Sequence, residues 1–433
     1  MAIQLRSKIT DSFWFIPLVM GAVGLLLAQS MVMMDRWIAT QGIVLPLGDL
    51  GAEGGRGILI AIAGSVLGVA ATSFSITTSV MATASSTYGP RLVRNFMSDA
   101  RNQFVLGSFG ASFLYALIVL RAIRDASDIG SVFVPSLSIN LAIIFGVFNV
   151  VLLIYFIHHI ADSIQISTLV SRVRDDLIRS IESLYPLEKK DKPAAVMIAD
   201  TDALPDSLPV RVDSRVDGFL TWIDYDDMVL SAKEHAAIVR LLVQPGDYVY
   251  LGRPIAEIWQ DEPLDETEIP WPLTHINTAQ TRTPYQDIRY AVQQPVDITI
   301  RALSPGINDP YTAINAIRGL SSGLTRLSMR ENADSVLLDS RHHPRVHKKT
   351  IAIEHMIAST FRTLRGNVVR SIDATLAVFE LAEQVLATAS RDSYKNIVIK
   401  EAQNIADAFE ESNATKDDKF IIKNAVEQIT LSN

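Results

Sequence analysis

Residues 57–82 read GILIAIAGSVLGVAATSFSITTSVMA, a run without a single charged side chain. About 20 apolar residues in a helix cross the hydrocarbon core of a bilayer, so this stretch predicts a transmembrane helix. Three further apolar runs of similar length lie at residues 13–34, 104–123 and 134–157. The core of a soluble domain does not place four such runs in succession, and we therefore predict four transmembrane helices within residues 1–160.

The composition divides the chain into a membrane half and a water-exposed half. Hydrophobic residues make up 48% of the 433 residues and charged residues 20%, and most of the charge follows residue 160. The net charge of −8 and the lack of a long Lys/Arg run argue against nucleic acid as a partner, which leaves the lipid bilayer as the expected surroundings. With no cysteine in the chain, disulfides and thiol catalysis are excluded.

The first apolar run has an alternative reading as a secretory signal peptide, because Arg6 and Lys8 precede it. The run continues to Met34 without a clear small-residue cleavage site, so we favour a retained span. Short-loop cations then orient the protein by the positive-inside rule. They are Arg6, Lys8, Arg91, Arg94, Arg101, Arg172, Arg174 and Arg179. We expect a multi-pass protein of the bacterial inner membrane with both termini in the cytoplasm.

The second span carries an unusual number of hydroxyl groups. Ser65, Thr72, Ser79 and Ser86 recur at every seventh residue and so share one side of a helix. Several copies of such a helix around an axis would line a pore whose hydroxyls replace part of the hydration of a permeant ion. Arg91 and Arg94 would then bias the cytoplasmic mouth against cations.

The same helix also fits a close helix–helix contact, which is the commoner use of small residues in a membrane. Small side chains along it let two backbones approach, and serine or threonine hydroxyls can bond to carbonyls of their own helix. The small residues in question are Gly64, Gly68, Ala71, Ser75 and Ala82. Both interpretations give the second span a neighbour other than lipid.

Two adjacent histidines, His158 and His159, end the fourth run at the expected membrane interface. An imidazole at this place can titrate near neutral pH or bind a metal. Adjacent residues on a helix point in different directions, so the two rings do not readily face one ligand. We expect them to anchor the helix end in the headgroup layer.

Beyond the spans the pattern predicts an α+β region. Residues 161–209 suggest a helical linker followed by a mobile segment, and residues 210–260 alternate as short strands. The turn at Pro245-Gly246-Asp247 resembles the turn of biotinyl/lipoyl-like barrel-sandwich domains, although Lys233 lies in a helical pattern and predicts no attached prosthetic group. Residues 261–433 are expected to form a helical cytoplasmic domain.

One loop between two predicted helices collects polar side chains. Pro305 and Gly306 stop the first helix, and Asp309-Pro310 starts the next. The polar groups of this loop and its surroundings either bind a small ligand or hold the structure together, for example by an Asp287–Arg301 pair, and we favour the structural role. The candidates are Asp287, Arg301, Ser304, Asn308 and Asp309.

Three strings give the chain a resemblance to a known family. They are ALSPGINDPYTA at residues 302–313, TPYQD at residues 283–287 and FIHHI at residues 156–160. With these strings the chain resembles the bacterial domain-of-unknown-function 2254 family of predicted membrane proteins over nearly its whole length. The resemblance implies a membrane architecture and carries no activity.

We therefore expect a homo-oligomeric inner-membrane protein that conducts ions or small solutes along its second transmembrane helix. The alternative is a membrane-anchored sensor or scaffold that binds a cytoplasmic partner or metabolite. A lipid-modifying enzyme is a third and weaker reading, because the standard hydrolase and nucleotide motifs are missing, and we expect no enzyme and no cofactor. His342, His343, His347 and His355 are expected to lie in a solvated basic connection and to form no metal site.

Overall fold

The computed structural model describes residues 14–41, 51–88, 99–125, 132–163, 165–185, 204–260 and 270–431. The chain separates into two compact units, Met1–Thr168 and Leu169–Asn433. The first contains the apolar helices, and the second contains the mixed α/β region.

Four helices of the N-terminal unit are long and apolar enough to cross a membrane. Among the described residues they are α1 (Phe15–Thr40), α2 (Ala52–Tyr88), α3 (Ala100–Ala122) and α4 (Ser136–Ser163). The predicted four spans are thus confirmed as helices, and each of α1, α2 and α4 extends past its apolar run into polar residues. Helix hydrogen bonds do not depend on hydropathy, so an apolar run gives only the membrane-embedded part of a helix.

Helix α3 is the central element of this unit, because half of its apolar window is buried, against 22% for α1 and α2 and 28% for α4. Close contact with α1 depends on small residues. A Cβ atom at Gly24 would lie 2.7 Å from the carbonyl oxygen of Ala111, and one at Gly107 would lie 2.7 Å from the Sδ atom of Met20. Backbone approach through glycine and alanine is the usual way for membrane helices to pack.

The C-terminal unit has a large helical core. Helices α5 (Ile166–Leu184) and α8 to α13 bury their apolar faces against one another around Leu177, Leu320 and Phe361. The later helices are α8 (Ile288–Ala302), α9 (Pro310–Ser328), α10 (Ile353–Val368), α11 (Ile372–Thr388), α12 (Asp392–Glu410) and α13 (Lys416–Leu431). The predicted helical C-terminal part is therefore present.

Eight strands in the described residues form two sheets in this unit, with orders β1-β5-β3-β8-β7 and β4-β2-β6. The strands and short helices are β1 (Val210–Asp213), β2 (Gly218–Ile223), α6 (Tyr225–Glu234), β3 (Ile238–Leu241), β4 (Tyr248–Val249), β5 (Pro254–Trp259), α7 (Trp271–Thr274), β6 (Ile276–Ala279), β7 (Val336–Leu338) and β8 (Pro344–His347). The described strands close no barrel, so the barrel-sandwich expectation is not confirmed.

Strands β6, β7 and β8 come from residues 261–433, which the sequence predicted to be helical. Strand β8 pairs in parallel with β3, and β7 pairs with β8. The expectation of a solvated basic connection at His342 to His355 was wrong for part of this stretch, since Val346 and His347 are buried in the sheet. Strands of three or four residues are too short for a periodicity signal, and the sheet position of β6 and β8 depends on pairing with the distant strands β2 and β3.

Candidate functional site

The hydroxyl side of α2 faces outward from the folded chain. Ser65, Thr72 and Ser79 are all exposed, and so are Gly64 and Gly68 on the same side of the helix. Seven residues are close to two turns of helix, so this side is one continuous strip. No packing partner covers it in the part of the chain that the structure describes.

Two of the hydroxyl protons on this side, those of Ser65 and Thr72, are engaged by the helix itself. Ser65 Oγ donates to the carbonyl oxygen of Ile62 at 3.1 Å, and Thr72 Oγ1 donates to that of Gly68 at 3.0 Å. A hydroxyl has one proton and two lone pairs, so each of these oxygens keeps its acceptor capacity for a group outside the helix.

Two other sides of α2 have different surroundings. Leu59, Ala63 and Val66 are buried in the bundle. Large apolar side chains, among them Leu67 and Phe74, are about half exposed on another side, as suits contact with lipid. The helix thus has a packed side, a bulky apolar side and a side rich in small and hydroxyl residues, on which the exposed Ile76 also lies.

The two glycines of the outward side leave open space. A Cβ atom built at Gly64 or at Gly68 meets no neighbouring heavy atom within 4 Å. Packing of this strip against another helix of the same described chain is therefore excluded. The remaining predicted pore residues cannot be placed, because Arg91 and Arg94, and the side chain of Ser86 in α2, lie outside the described part.

The two histidines at the end of α4 point apart, as helix geometry requires. His158 is exposed and lies 3.3 Å from the carboxylate of Asp162. His159 is buried, stacks on Tyr155, and has its Nε2 atom 2.9 Å from Oδ2 of Asp99. Asp99 also accepts the N–H of Arg101 as the N-cap of α3. His159 therefore joins the ends of two helices, a contact that the expected headgroup anchoring did not include.

Sequence reasoning missed a set of polar side chains inside the N-terminal unit. Ser73, Asn102 and Asn149 are each at least 96% buried, and no hydrogen bond is described for the Ser73 hydroxyl, the Asn102 amide oxygen or either end of the Asn149 amide. They lie on α2, α3 and α4. Asn149 within the fourth apolar run is the signal that could have identified this set, since unsatisfied amides are costly in a membrane.

A second missed group is Asp35, a buried carboxylate near the end of α1. It accepts the backbone N–H groups of Leu137 and Ser138 at 3.0 and 2.9 Å and the Ser138 hydroxyl at 2.6 Å. These donors belong to the first turn of α4, whose N–H groups have no partner within their own helix. Asp35 is thus an N-cap supplied by a different helix.

In the C-terminal unit the polar loop is satisfied by its own turn. Ser304 Oγ donates to the carbonyl oxygen of Arg301 at 2.7 Å, and Asp309 accepts the N–H and the hydroxyl of Thr312 as the N-cap of α9. Asn308 is exposed and adopts a left-handed φ of 48°, which asparagine tolerates better than most residues. These contacts are compatible with the structural role that the sequence favoured, and that role stays a prediction.

The suggested Asp287–Arg301 pair is wrong. Asp287 caps the first turn of α8 and Arg301 lies in its last turn, so the two residues are about 20 Å apart along the helix axis. The carboxylate of Asp287 is instead bound by Arg282, with Nε to Oδ2 at 2.7 Å and Nη2 to Oδ1 at 3.0 Å. It also accepts the N–H of Tyr290.

This buried pair supports the Pro245-Gly246-Asp247 turn. Gly246 has a φ of 91°, and a Cβ atom there would lie 2.2 Å from Oδ2 of Asp287. Arg289 donates to Oδ1 of Asp247 at 2.7 Å, and Asp247 Oδ2 accepts the N–H of Gln244 at 3.2 Å. The turn is therefore fixed against the start of α8 by contact and by charge.

Comparison with known proteins gives a family match. The family model described as "Predicted membrane protein (DUF2254)" matches residues 10–384. An uncharacterized protein of Mycobacterium tuberculosis, Rv1290c, is 32% identical over 288 residues, and the uncharacterized protein Mb1321c of Mycobacterium bovis matches equally.

The aligned region covers 66% of this chain and 54% of each relative. The chain thus spans about half the length of the curated relatives it matches. No solved structure matches the chain.

Proposed function

The chain belongs to the DUF2254 family of predicted membrane proteins, and on that premise we propose that it is a homo-oligomeric channel for ions or small solutes. The membrane is the bacterial inner membrane, with both termini in the cytoplasm. The outward side of α2, with Ser65, Thr72 and Ser79, lines the path between copies.

The observation that carries the proposal is the uncovered strip of small and hydroxyl residues on α2. Gly64 and Gly68 form the glycine-x-x-x-glycine spacing that lets membrane helices approach closely, and both have open space beside them. Leu67 and Phe74 on the bulky side suit contact with lipid, whereas a strip of small and hydroxyl residues suits contact with another helix. A second copy of the chain supplies that helix.

Chemistry of the strip supports conduction between the copies. Because the hydroxyl protons of Ser65 and Thr72 bond to backbone carbonyls, the oxygens present lone pairs to the path. Lone pairs of this kind replace water around a cation or bond to the water that travels with a solute. Arg91 and Arg94 would favour anions at the mouth, so potassium and chloride fluxes have to be measured separately.

Flux in proteoliposomes tests the proposal. Ser79→Leu places a bulky apolar group in the path and promotes dewetting, so we expect loss of most of the wild-type flux. Ser30→Leu is the matched control, because Ser30 is an exposed serine of an apolar helix, α1, outside the strip. If Ser79→Leu and Ser30→Leu conduct equally well, α2 does not line the path. If the wild-type protein gives no flux, the channel proposal is rejected.

Assembly through α2 is tested separately by cross-linking. The chain has no cysteine, so single cysteines report one position each. We expect Thr72→Cys to give dimers with a short bis-maleimide in native membranes, and the control Leu67→Cys on the bulky side to stay monomeric. Dimers of Leu67→Cys without dimers of Thr72→Cys would place the contact elsewhere.

A membrane-anchored sensor or scaffold is the second candidate function. It is favoured by the C-terminal unit, which has its own core of buried residues from α5 to α13 and contains a cavity. In this case the full chain binds a protein or metabolite through that unit and carries no flux. Partner capture that is unchanged in Ser79→Leu, together with a flux-silent wild type, would favour the sensor.

A further inference from the structure

The C-terminal unit contains a small open cavity beside the Pro245-Gly246-Asp247 turn. Its volume is about 60 Å³, enough for several water molecules. The polar side chains that line it include Tyr185, Tyr225, Gln244, Lys348 and Lys349. None of the described lining residues is an aspartate or glutamate, so the cavity wall has a positive charge.

A buried polar group faces this space without a partner. Gln244 is 92% buried, and the hydrogen bonds described for it use only its backbone N–H and carbonyl. Its carboxamide therefore lacks a partner within the described chain, as does the hydroxyl of Tyr225. Gln244 lines the cavity, so its carboxamide is available to pair with a molecule bound there.

Two lysines that follow β8 give the cavity its positive charge. Lys348 places its Nζ atom 5.1 Å from the ring centroid of Tyr225, which orients that ring. Lys349 is exposed, and no ion pair with a described residue engages its ammonium group. Burial raises the pKa of the Tyr225 phenol, so it stays a hydrogen-bond donor at neutral pH.

We propose that this cavity binds a small oxyanion, a phosphate or carboxylate group, through Lys349, Tyr225 and Gln244. The volume fits the anionic group alone, and the open side leaves room for the rest of a metabolite. The site is preorganised, because Gln244 belongs to the turn that Arg289, Asp247 and Asp287 fix in place. The proposal does not depend on the channel.

Isothermal titration calorimetry on the full chain in detergent tests the site, with potassium chloride holding the ionic strength constant. The probes are inorganic phosphate, glycerol 3-phosphate and acetate. We expect saturable phosphate binding that weakens at least ten-fold in Lys349→Glu. The control Lys400→Glu makes the same charge change on an exposed residue of α12 outside the cavity, and its affinity should stay within two-fold of wild type.

The probes also separate the sources of the anion. Tighter binding of glycerol 3-phosphate than of phosphate identifies an esterified phosphate, equal binding identifies free phosphate, and tighter acetate binding identifies a carboxylate. Gln244→Leu, which removes the unpartnered amide, should weaken each of them. No binding to wild type at 10 mM of any probe, or equal affinities in wild type and Lys349→Glu, would overturn the proposal whether or not the protein carries flux.

Discussion

Gly246 shows how one residue positions the turn beside the cavity. Its φ of 91° lies in the left-handed region, where glycine has no steric penalty. The absence of a side chain also allows the backbone to lie directly on the carboxylate of Asp287, which Arg282 holds in a bidentate pair. Position 246 therefore requires glycine for two independent reasons, the left-handed φ and the close contact with Asp287.

Gly246→Ala should destabilise the C-terminal unit by about 3 kcal/mol, because it adds a clash with a buried ion pair to the strain of the backbone. Gly252→Ala is the matched control. Gly252 has a similar φ of 82° but open space around it, so only about 1 kcal/mol of strain is expected. Denaturation of the full chain in detergent, followed by tryptophan fluorescence, measures the difference. Equal losses would show that the contact with Asp287 contributes nothing.

Asp339 is a second residue whose environment gives a measurable consequence. Burial of the side chain opposes ionisation. Hydrogen bonds from the N–H groups of His343 and Arg341 and from the Arg345 guanidinium outweigh it and hold the pKa of the carboxyl well below its usual range. The ionised form is therefore bound more strongly in the folded state than in the unfolded state.

The depressed pKa means that the stabilisation by Asp339 is complete above the unfolded pKa of about 4 and is lost as the pH falls toward the folded pKa. Asp339→Asn should cost about 2 kcal/mol at pH 7 and flatten the acid limb below pH ~4. Denaturant midpoints from pH 7 to pH 3 test this. Asp417→Asn, an exposed carboxylate of α13, is the control, and identical pH profiles for the two variants would contradict the assignment.

At the scale of the elements, the amino acid pattern predicted the long helices because each has enough residues for a clear apolar signal. Strands β6, β7 and β8 were missed because they are short; β6 and β8 pair with the distant strands β2 and β3, and β7 pairs in turn with β8. The outward strip of α2 was visible as a seven-residue repeat. The exposure of this strip could not be predicted from the sequence, because which side of α2 is buried depends on how α3 and α4 pack against it.

The cap that α1 provides for α4 is testable at this scale. Asp35→Ala should lower the free energy of unfolding of the N-terminal unit by about 2 kcal/mol, since the first N–H groups of α4 lose their acceptor. Asp35→Asn keeps one carbonyl acceptor and should cost less. Thermal unfolding in detergent measures both, and an Asp35→Ala protein as stable as wild type would exclude the cap as a stabilising contact.

For the whole molecule, the sequence predicted a membrane unit followed by an α+β unit because hydropathy changes sharply near residue 160. The candidate sites could be predicted from the sequence less well than the architecture, because they are formed by tertiary contacts. The Arg289–Asp247 pair, the His159–Asp99 contact and the cavity beside Gln244 each join elements that are distant along the chain. No spacing rule links such residues, so they followed only from the folded chain.

Ser79 is an exposed hydroxyl residue on the uncovered strip of α2 and would face the conduction path of the proposed channel. In the cysteine-free background, Ser79→Cys places one thiol in the proposed path, and Phe74→Cys places one on the bulky side. The measurement is flux in proteoliposomes before and after a charged, membrane-impermeant methanethiosulfonate reagent. We expect the reagent to block flux through Ser79→Cys and to leave flux through Phe74→Cys and the wild type unchanged. Unchanged flux through modified Ser79→Cys would contradict the channel proposal.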